Sequence, residues 1–397
     1  MANCRWQYST RAILMKSSII RDTLKITQKP GVIGFGGGLP APELFPSEEL
    51  AECAKKVIME KPAEALQYST TEGYVKLREL IAERMAKIGV RCDPDQIMIT
   101  GGSQQGLDLT GRVFLDTDVF VVCGVPTYLG AIQAFNAYIP KYLTLASDEN
   151  GMTIDGLEEY LKKYSPRLIY VVPTFQNPDG LTISEERRKA IVELGEKYHV
   201  PVIEDDPYSE LCFEGTVPPH MQSMNPDGVI LLGTFSKLLA PGFRVAWVIA
   251  PKGECFDRFV KMKQGADLQT NTLSQYIIYE YLKTGALDKH LAKVAKVYSK
   301  RRDLMVKAMH KYFPKGVKFT EPKGGLFLWV ELPEGLNATE LLPKAVERKV
   351  GYIPGEAFNP NGGGENTMRL NFSKSSEEEI EEGIKRLGEV FAEALKR

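Results

Sequence analysis

One lysine stands between two apolar segments, at a position where its amine could act as a nucleophile. Lys237 lies in GTFSKLLAPGFR, residues 233–244, with the run GVILLG before it and VAWVIA after it. An amine on a short loop between buried strands is partly desolvated, which lowers its pKa and allows Schiff-base chemistry with a carbonyl cofactor. Lys237 alone could equally be one of many solvated surface charges. The prediction of a cofactor therefore depends on whether other side chains in the sequence could contact it.

Acidic and phenolic groups follow another apolar segment, VPVIEDDPYSE. Asp205 and Asp206 end this segment, and Tyr208 comes two residues later. A carboxylate at the carboxyl edge of an α/β sheet could keep a pyridine nitrogen protonated, and the phenol could donate to a phenolic oxygen. A metal site is the alternative for the acids, but no histidines cluster nearby, and we expect no metal. A core aromatic is the alternative for Tyr208.

A strand, a glycine turn and a helix are predicted in QIMITGGSQQGLDLTGRVF. Ser103 and Gln104 would lie at the helix N-terminus, where free N–H groups favour a phosphate. Arg244, seven residues after Lys237, is a suitable second phosphate ligand, although an exposed ion pair would also explain it. Many α/β turns look like this one by chance. The stretch has no GK[ST] for a nucleoside triphosphate, and no GxGxxG for NAD follows a strand.

Two further side chains complete the set that pyridoxal phosphate requires. Asn177 follows a buried strand in PTFQNPDG, where it could also serve as a simple loop starter. Tyr128 in GVPTYLG could stack on a flat ring or pack in the core. Together these residues supply the amine, the acid, the phenolic contacts, the phosphate cradle and the stacking group. We therefore expect pyridoxal phosphate as the cofactor.

Apolar patterning predicts the elements that position these residues. RLIYVVPTF, VPVIEDDPY and GVILLGTF resemble strands buried on both faces, which indicates a mostly parallel sheet. Between the first two, a helix is predicted with Thr182 and Glu185 at capping-box spacing. From Thr272 to about residue 313 the pattern is helical, with Gly285 as a break. A hairpin around Gly324 and Gly325, and a final helix over residues 376–397 capped by Ser376, predict a smaller α+β domain.

Composition excludes several classes of partner. The 397 residues include 50 basic and 51 acidic ones, a formal charge of −1, so we expect neither nucleic acid nor membrane as a partner. No apolar run approaches the length of a membrane span. The six cysteines form no CxxC, which favours a reducing cytoplasm. The first twenty residues are basic and faintly similar to a transit peptide.

Seven motifs in order resemble the fold type I pyridoxal phosphate enzymes over nearly the whole chain. Within these, the chain is similar to class I aminotransferases of the 2-aminoadipate, kynurenine and thermophilic aromatic subgroup. The motifs are GGGLPAPELFP, LQYSTTEG, GSQQGLDL, PTFQNPDG, EDDPY, GTFSKLLAPGFR and PGEAFNPNGGGENTMRLNFS. The resemblance implies an α/β fold with a large domain, whose mostly parallel sheet is sandwiched by helices, and a smaller α+β domain. We predict an N-terminal arm at 1–45, a large domain at 46–285 and a small domain at 286–397.

The resemblance also implies a role for each candidate residue. Lys237 would carry the cofactor as a Schiff base. Of the two adjacent acids, the resemblance implies that Asp205, and not Asp206, contacts the ring nitrogen. The other cofactor contacts that it implies are Asn177 and Tyr208 at the phenolic oxygen, Tyr128 stacking on the ring, and Ser103, Gln104, Ser236 and Arg244 at the phosphate.

Further implied roles concern the substrate and a second subunit. Arg369 would bind the substrate α-carboxylate bidentately, although read alone it would pass as a surface charge. Asn177 and Gly38 would also contact the substrate, and Arg21 would lie on an arm that closes over it. Tyr68 would reach the phosphate of the neighbouring subunit's cofactor, which implies a homodimer with shared active sites. A mobile Arg21 would accept acidic, aromatic and aliphatic side chains, so we expect broad specificity.

The chain departs from the pattern of this subgroup at two turns. Cys123 and Gly124 stand where a glutamate is common, the usual Pro-Gly-Asp turn is absent, and NPDG replaces the more frequent NPTG. These departures affect the expected substrate preference and leave the assigned contacts in place.

The expected reaction is ping-pong transamination from an L-amino acid to a 2-oxo acid, with 2-oxoglutarate as acceptor. Another pyridoxal phosphate reaction, such as β-elimination, racemisation or decarboxylation, is the alternative on the same scaffold. A ligand-sensing regulator module is the alternative of another class. It is disfavoured because about thirty residues precede GVIGFGGGLP, too few for a helix-turn-helix domain. A structural α/β protein with coincidental motifs is the remaining reading.

Overall fold

The computed structural model describes residues 6–15 and 31–396. Within these ranges the strands form one large sheet and two small ones. In chain order the strands are β1 (Ile33–Gly34), β2 (Ile97–Thr100), β3 (Phe120–Val125), β4 (Lys141–Asp148), β5 (Gly151–Met152), β6 (Leu168–Val171), β7 (Val202–Asp206), β8 (Val229–Thr234), β9 (Ala246–Ile249), β10 (Lys318–Phe319), β11 (Phe327–Glu331), β12 (Val350–Gly351), β13 (Ile353–Pro354) and β14 (Thr367–Asn371).

The large sheet has the strand order β2-β9-β8-β7-β6-β3-β4-β5. Neighbouring strands from β8 through β4 pair in parallel, whereas β9 is antiparallel to both of its neighbours and β5 is antiparallel to β4. Every residue of β6, β7 and β8 is buried, as expected for strands covered on both faces. The prediction that these three segments form a parallel sheet is confirmed, and their carboxyl ends share one edge.

Helices cover the sheet and follow most of its strands. In chain order the described α-helices are α1 (Thr10–Leu14), α2 (Ser47–Glu60), α3 (Pro62–Ala65), α4 (Val75–Lys87), α5 (Ser103–Phe114), α6 (Leu129–Phe135), α7 (Leu157–Tyr164), α8 (Glu185–Lys197), α9 (Met221–Met224), α10 (Phe235–Leu238), α11 (Glu254–Gln264), α12 (Thr272–Lys283), α13 (Ala286–Tyr312), α14 (Ala338–Glu347) and α15 (Glu377–Ala394). Short 3-10 turns lie at Pro42–Leu44, Pro94–Gln96, Asn136–Tyr138, Pro241–Phe243 and Gly355–Phe358.

The predicted helix boundaries are confirmed at two places and wrong at a third. Gly285, with φ +69, separates α12 from α13, and Ser376 caps α15 in a capping box. The predicted cap of α8 is wrong, because the N-cap lies two residues later than the motif suggested. Ser184 accepts from Arg187 N as the N-cap, whereas the Thr182 hydroxyl accepts from Phe175 N.

A second sheet, of order β10-β11-β14-β13, lies in the C-terminal part of the chain. The antiparallel pairing of β10 with β11 confirms the predicted hairpin. Residues 320–326, which include both glycines, form the connection between the strands, so it is longer than a two-residue turn. Gly324 pairs instead with Cys212 in an isolated antiparallel bridge, which ties this connection to the loop after β7.

The segment before α2 packs with the C-terminal part of the chain. Ile33 and Gly34 pair in parallel with Val350 and Gly351, and Asn371 N donates to Phe35 O at 2.8 Å. This pairing places residues 36–38 near the edge of the large sheet that is formed by the carboxyl ends of its parallel strands. The domain boundaries near residues 45 and 285 stay a prediction. In the described ranges, no helix has the length and apolar character needed to cross a membrane.

Candidate active site

A cavity of about 600 Å³ opens at the carboxyl edge of β6, β7 and β8. It brings together nine of the residues singled out in the sequence, and four neighbours that were not: Val172, Pro207, Thr234 and Pro241. Val172, Pro207 and Thr234 each flank a predicted residue or end a predicted strand, and Pro241 lies between Lys237 and Arg244 in the same motif, which was the available signal. The nine predicted residues that line the cavity are Ser103, Gln104, Tyr128, Asn177, Asp205, Tyr208, Ser236, Lys237 and Arg244.

Lys237 projects from the short helix α10, directly after β8. Thr234 begins this helix by accepting a hydrogen bond from Ser236 N at 3.0 Å. The Lys237 amine donates to Gly38 O at 2.7 Å. Burial, together with the positive charges of Arg369 and Arg244, lowers the pKa of Lys237 to about 8. The predicted amine therefore has the environment of a reactive nucleophile.

Asp205 lines the same cavity from the middle of the sheet. Its Oδ2 accepts a hydrogen bond from Tyr170 Oη at 2.8 Å, a contact that the sequence analysis missed. The pKa of Asp205 is raised to about 7, because burial and the charge of Asp206 raise it more than the hydrogen bond from Tyr170 lowers it. A cationic ring nitrogen in contact with this carboxylate would favour its charged form.

Arg369 on β14 is buried and forms fixed contacts around Asn177. Its Nη1 donates to Asn177 Oδ1 at 2.6 Å and its Nη2 donates to Gly36 O at 2.7 Å. The guanidinium lies 4.3 Å from the ring centroid of Phe327 and 5.0 Å from that of Phe358. Burial lowers the pKa of Arg369 to about 10. Arg369 is thus no surface charge, and its planar group is held between two aromatic rings.

The glycine turn before α5 meets Arg244 at the outer end of the cavity. Gly102 has φ +90, and a Cβ at this position would lie 2.2 Å from Arg244 Nη2. Arg244 Nη2 donates to Gly101 O at 3.3 Å, and the Gln104 amide donates to Gly130 O at 2.9 Å. The helix N-terminus and a guanidinium therefore converge here, as an anion site requires.

Two tyrosines form the walls of the cavity. Burial raises the pKa of Tyr128 to about 12, and burial also raises the pKa of Tyr208 well above its ordinary value. Both phenols therefore stay protonated at neutral pH. The ring of Tyr208 packs edge-on against Phe327, with centroids 6.0 Å apart.

Gly38 and Tyr68 do not line the cavity, and a third predicted residue is not described. Gly38 reaches the site only through its carbonyl, which accepts from Lys237, and a Cβ on it would lie 3.0 Å from the Phe327 ring. Tyr68 is 78% exposed and lines a separate surface cavity of about 470 Å³. Arg21 lies outside the described residues.

Two buried oxygens allow the fit to pyridoxal phosphate to be tested. Ser103 Oγ and Asp205 Oδ1 have no hydrogen-bond partner among the described residues. Buried polar atoms of native proteins nearly always have partners. These two belong to residues that line one cavity, one at a helix N-terminus suited to a phosphate and one suited to a protonated ring nitrogen. The residues present therefore fit pyridoxal phosphate.

Comparison with known proteins gives a consistent family assignment. The profile of the family "Aminotransferase class I and II" matches residues 31–387. The chain is 45% identical to the aromatic-amino-acid aminotransferase 1 of Thermococcus litoralis, covering 98% of this chain and 95% of that protein. It is 46% identical to the 2-aminoadipate transaminase of Thermus thermophilus, covering 94% of each.

The fold is likewise shared with a solved structure. The kynurenine aminotransferase of Pyrococcus horikoshii, crystallised with PMP, superposes with a TM-score of 0.94 at 43% identity, covering 98% of both chains. The predicted fold class and cofactor are confirmed. The chain therefore belongs to the class I and II aminotransferases, and it is a pyridoxal phosphate-dependent transaminase of the fold type I architecture.

Proposed function

We propose that the protein transfers the amino group of several kinds of L-amino acid to a 2-oxo acid, with 2-oxoglutarate as acceptor. The proposed donors are 2-aminoadipate, glutamate, and aromatic and aliphatic amino acids. The names of the three relatives, which cover aromatic amino acids, 2-aminoadipate and kynurenine, support this breadth. The observation that carries the proposal is the placement of Lys237 and Asp205 in one cavity, with Arg369 bound to Asn177 at its wall.

The cavity residues have separate proposed roles in holding the cofactor. Pyridoxal phosphate, when bound, supplies an electron sink for the negative charge that develops at the substrate Cα. The proposed contacts are Lys237 as the covalent attachment, Asp205 at the ring nitrogen, Asn177 and Tyr208 at the phenolic oxygen, Tyr128 on the ring face, and Ser103, Gln104, Ser236 and Arg244 at the phosphate.

Arg369 and Lys237 act on the substrate itself. Arg369 binds the α-carboxylate through its planar guanidinium, which its aromatic neighbours and the Gly36 carbonyl keep in one orientation. Lys237 Nζ would accept a proton from the Cα of the amino donor, and in the reverse half-reaction it would deliver a proton to the Cα of the acceptor. The lowered pKa of about 8 supports this role, because roughly a fifth of the amine is then neutral at pH 7.4, far more than for an ordinary lysine.

Breadth of specificity is proposed to depend on the N-terminal arm. An arm that presents or withdraws Arg21 would pair with acidic side chains and leave room for aromatic ones. We expect Arg21→Ala to lower kcat/KM for 2-aminoadipate and glutamate relative to phenylalanine. Unchanged relative kcat/KM for the three donors would contradict this role of the arm.

A homodimer in the cytoplasm completes the proposal. Tyr68 is exposed and outside its own subunit's cavity, which supports a contact of its hydroxyl with the partner's cofactor phosphate. The five cysteines that the structure describes are free thiols, which supports a reducing compartment. Sedimentation of the purified protein tests whether it is a dimer. Measuring the cofactor affinity of Tyr68→Phe tests whether the Tyr68 hydroxyl contacts the cofactor phosphate of the partner subunit.

The reaction class is tested by product analysis. Incubating the enzyme with one amino donor and 2-oxoglutarate should yield glutamate and the matching 2-oxo acid in equal amounts. Formation of pyruvate and ammonia without glutamate would identify a lyase instead.

Arg369→Lys should raise KM for the donor by about 10- to 100-fold, because a lysine cannot form the bidentate pair. The exposed Arg258, changed to lysine, is the matched control.

A further inference from the structure

Only one oxygen of the Asp205 carboxylate has a partner in the described part of the chain. Tyr170 Oη donates to Oδ2 at 2.8 Å, whereas Oδ1 is buried without a partner there. Asp205 lines the cavity, and Tyr170 is not among its lining residues. Tyr170 therefore approaches the carboxylate from behind, from within the sheet, and leaves the other oxygen for a group in the cavity.

The sheet register explains why the two side chains meet. Strands β6 and β7 are parallel, and Tyr170 lies opposite Ile203. Because side chains alternate along a strand, Ile203 and Asp205 face the same side as Tyr170. Tyr170 is 1% exposed, and its ring packs edge-on against Phe135 with centroids 5.6 Å apart. The hydroxyl is thus fixed beside Asp205 by the backbone pairing and by a second ring.

The groups around Asp205 differ in their effect on its charge. Burial raises the pKa of Asp205 and so does Asp206 on the same strand, whereas the hydrogen bond from Tyr170 lowers it. Tyr128 and Tyr208 face Asp205 from the neighbouring loops, and Lys237 and Arg244 share its cavity. Burial raises the pKa of Tyr170 well above 10, so its hydroxyl remains a donor. Tyr170 is therefore the hydrogen-bond donor that favours the charged carboxylate.

We propose that Tyr170 is a positioning residue for transamination, whose hydroxyl fixes Asp205 Oδ2 and so keeps Oδ1 charged and available to the cofactor's ring nitrogen. The inference rests on the proposed role of Asp205. Tyr170 touches neither substrate nor cofactor, and it acts through the carboxylate. Without its hydroxyl the buried carboxyl group would keep its proton to a higher pH, and a neutral carboxyl holds a pyridinium weakly.

Tyr170→Phe separates this role from packing, because it retains the ring and the contact with Phe135. The probe is pyridoxamine phosphate, which has no aldehyde to react with Lys237 and so reports the non-covalent contacts. We expect its Kd for the cofactor-free protein to rise about tenfold at pH 7, and the difference to disappear near pH 9.5, where Asp205 is ionised in both proteins. A purely structural defect would weaken binding at every pH.

Two further measurements make the test decisive. Infrared difference spectra of protein labelled with 13C-aspartate, assigned with Asp205→Asn, should show the carboxyl losing its proton at higher pH in Tyr170→Phe than in wild type. Tyr352→Phe is the matched control, since it removes a buried hydroxyl that donates to Ala338 O outside the cavity. It should leave the Kd unchanged at both pH values.

The outcomes distinguish this inference from the function on which it rests. If Asp205→Asn weakens pyridoxamine phosphate binding but Tyr170→Phe binds within twofold of wild type at pH 7, the role of Tyr170 is overturned alone. If Asp205→Asn binds as tightly as wild type, the assignment of Asp205 and this inference both fail. An unshifted carboxyl titration in Tyr170→Phe also overturns the inference, even if that variant is less stable.

Discussion

His220 lies between two buried carboxylates, and replacing it with glutamine should remove a pH-dependent part of the free energy of unfolding. The imidazole is 2% exposed, with Nδ1 3.1 Å from Glu204 Oε1 and Nε2 3.8 Å from Asp206 Oδ2. Burial alone would lower the pKa of His220, but the charges of Asp206 and Glu204 raise it to about 9. The folded protein therefore contains an imidazolium at neutral pH.

The sign and size of the effect follow from this raised pKa. An unfolded histidine titrates near 6.5, so the folded chain binds the extra proton more tightly. The stabilisation is fully present below pH 6.5 and is lost as the pH rises through 9. It amounts to about 3 kcal/mol, which corresponds to roughly 4 °C in Tm for a chain of this length.

Calorimetry of the cofactor-loaded protein from pH 6 to pH 10 measures this contribution. We expect the stability gap between wild type and His220→Gln to be widest near pH 6 and to shrink by about 3 kcal/mol at pH 10. His310→Gln, at an exposed histidine paired with Glu321, is the control and should show no such trend. A gap that is the same at both ends of this range would mean that His220 is neutral in the folded protein, and the reasoning would be refuted.

Two other substitutions test the cofactor cradle and the last helix. Gly102→Ala should weaken cofactor affinity by about tenfold or more, because its Cβ would displace the Arg244 guanidinium and its φ of +90 strains an alanine by roughly 1–3 kcal/mol. Gly89→Ala has a similar φ of +87 with no atom within 4 Å, so it should lose stability without losing cofactor, and equal affinities in the two variants would contradict this account. Ser376→Ala should lower the free energy of unfolding by about 1 kcal/mol, since the hydroxyl accepts from Glu379 N, and denaturant titration would detect this.

Much of the site was predictable because its parts are local in sequence. A lysine, an acid and an asparagine each follow an apolar strand, and the carboxyl ends of parallel strands share one edge. The sequence alone therefore predicts that Lys237, Asp205 and Asn177 meet. Ser103 was predictable for the same reason, since a glycine turn between a strand and a helix places backbone N–H groups at a known end.

Contacts between distant segments were not predictable in this way. Phe327 and Phe358 enclose Arg369, yet each stands in an ordinary apolar stretch with no local sign of this contact. The connection around Gly324 pairs with Cys212, more than a hundred residues away, so its length could not be read from the glycines. Tyr170 had one overlooked signal: a buried phenol usually needs a hydrogen-bond partner, and RLIYVV places one inside a strand.

Strand β7 links the stability of the fold to the chemistry of the site. Its three consecutive acids are almost fully buried, and alternation along the strand places Glu204 and Asp206 on one face and Asp205 on the other. The His220 imidazolium compensates the negative charge on the first face, whereas Tyr170 donates a hydrogen bond to Asp205 on the second face. The charge of Asp206 raises the pKa of Asp205. Loss of the imidazolium beside Asp206 would therefore also raise the pKa of Asp205 in the cavity. His220→Gln should therefore weaken pyridoxamine phosphate binding as well as folding, although His220 does not line the cavity.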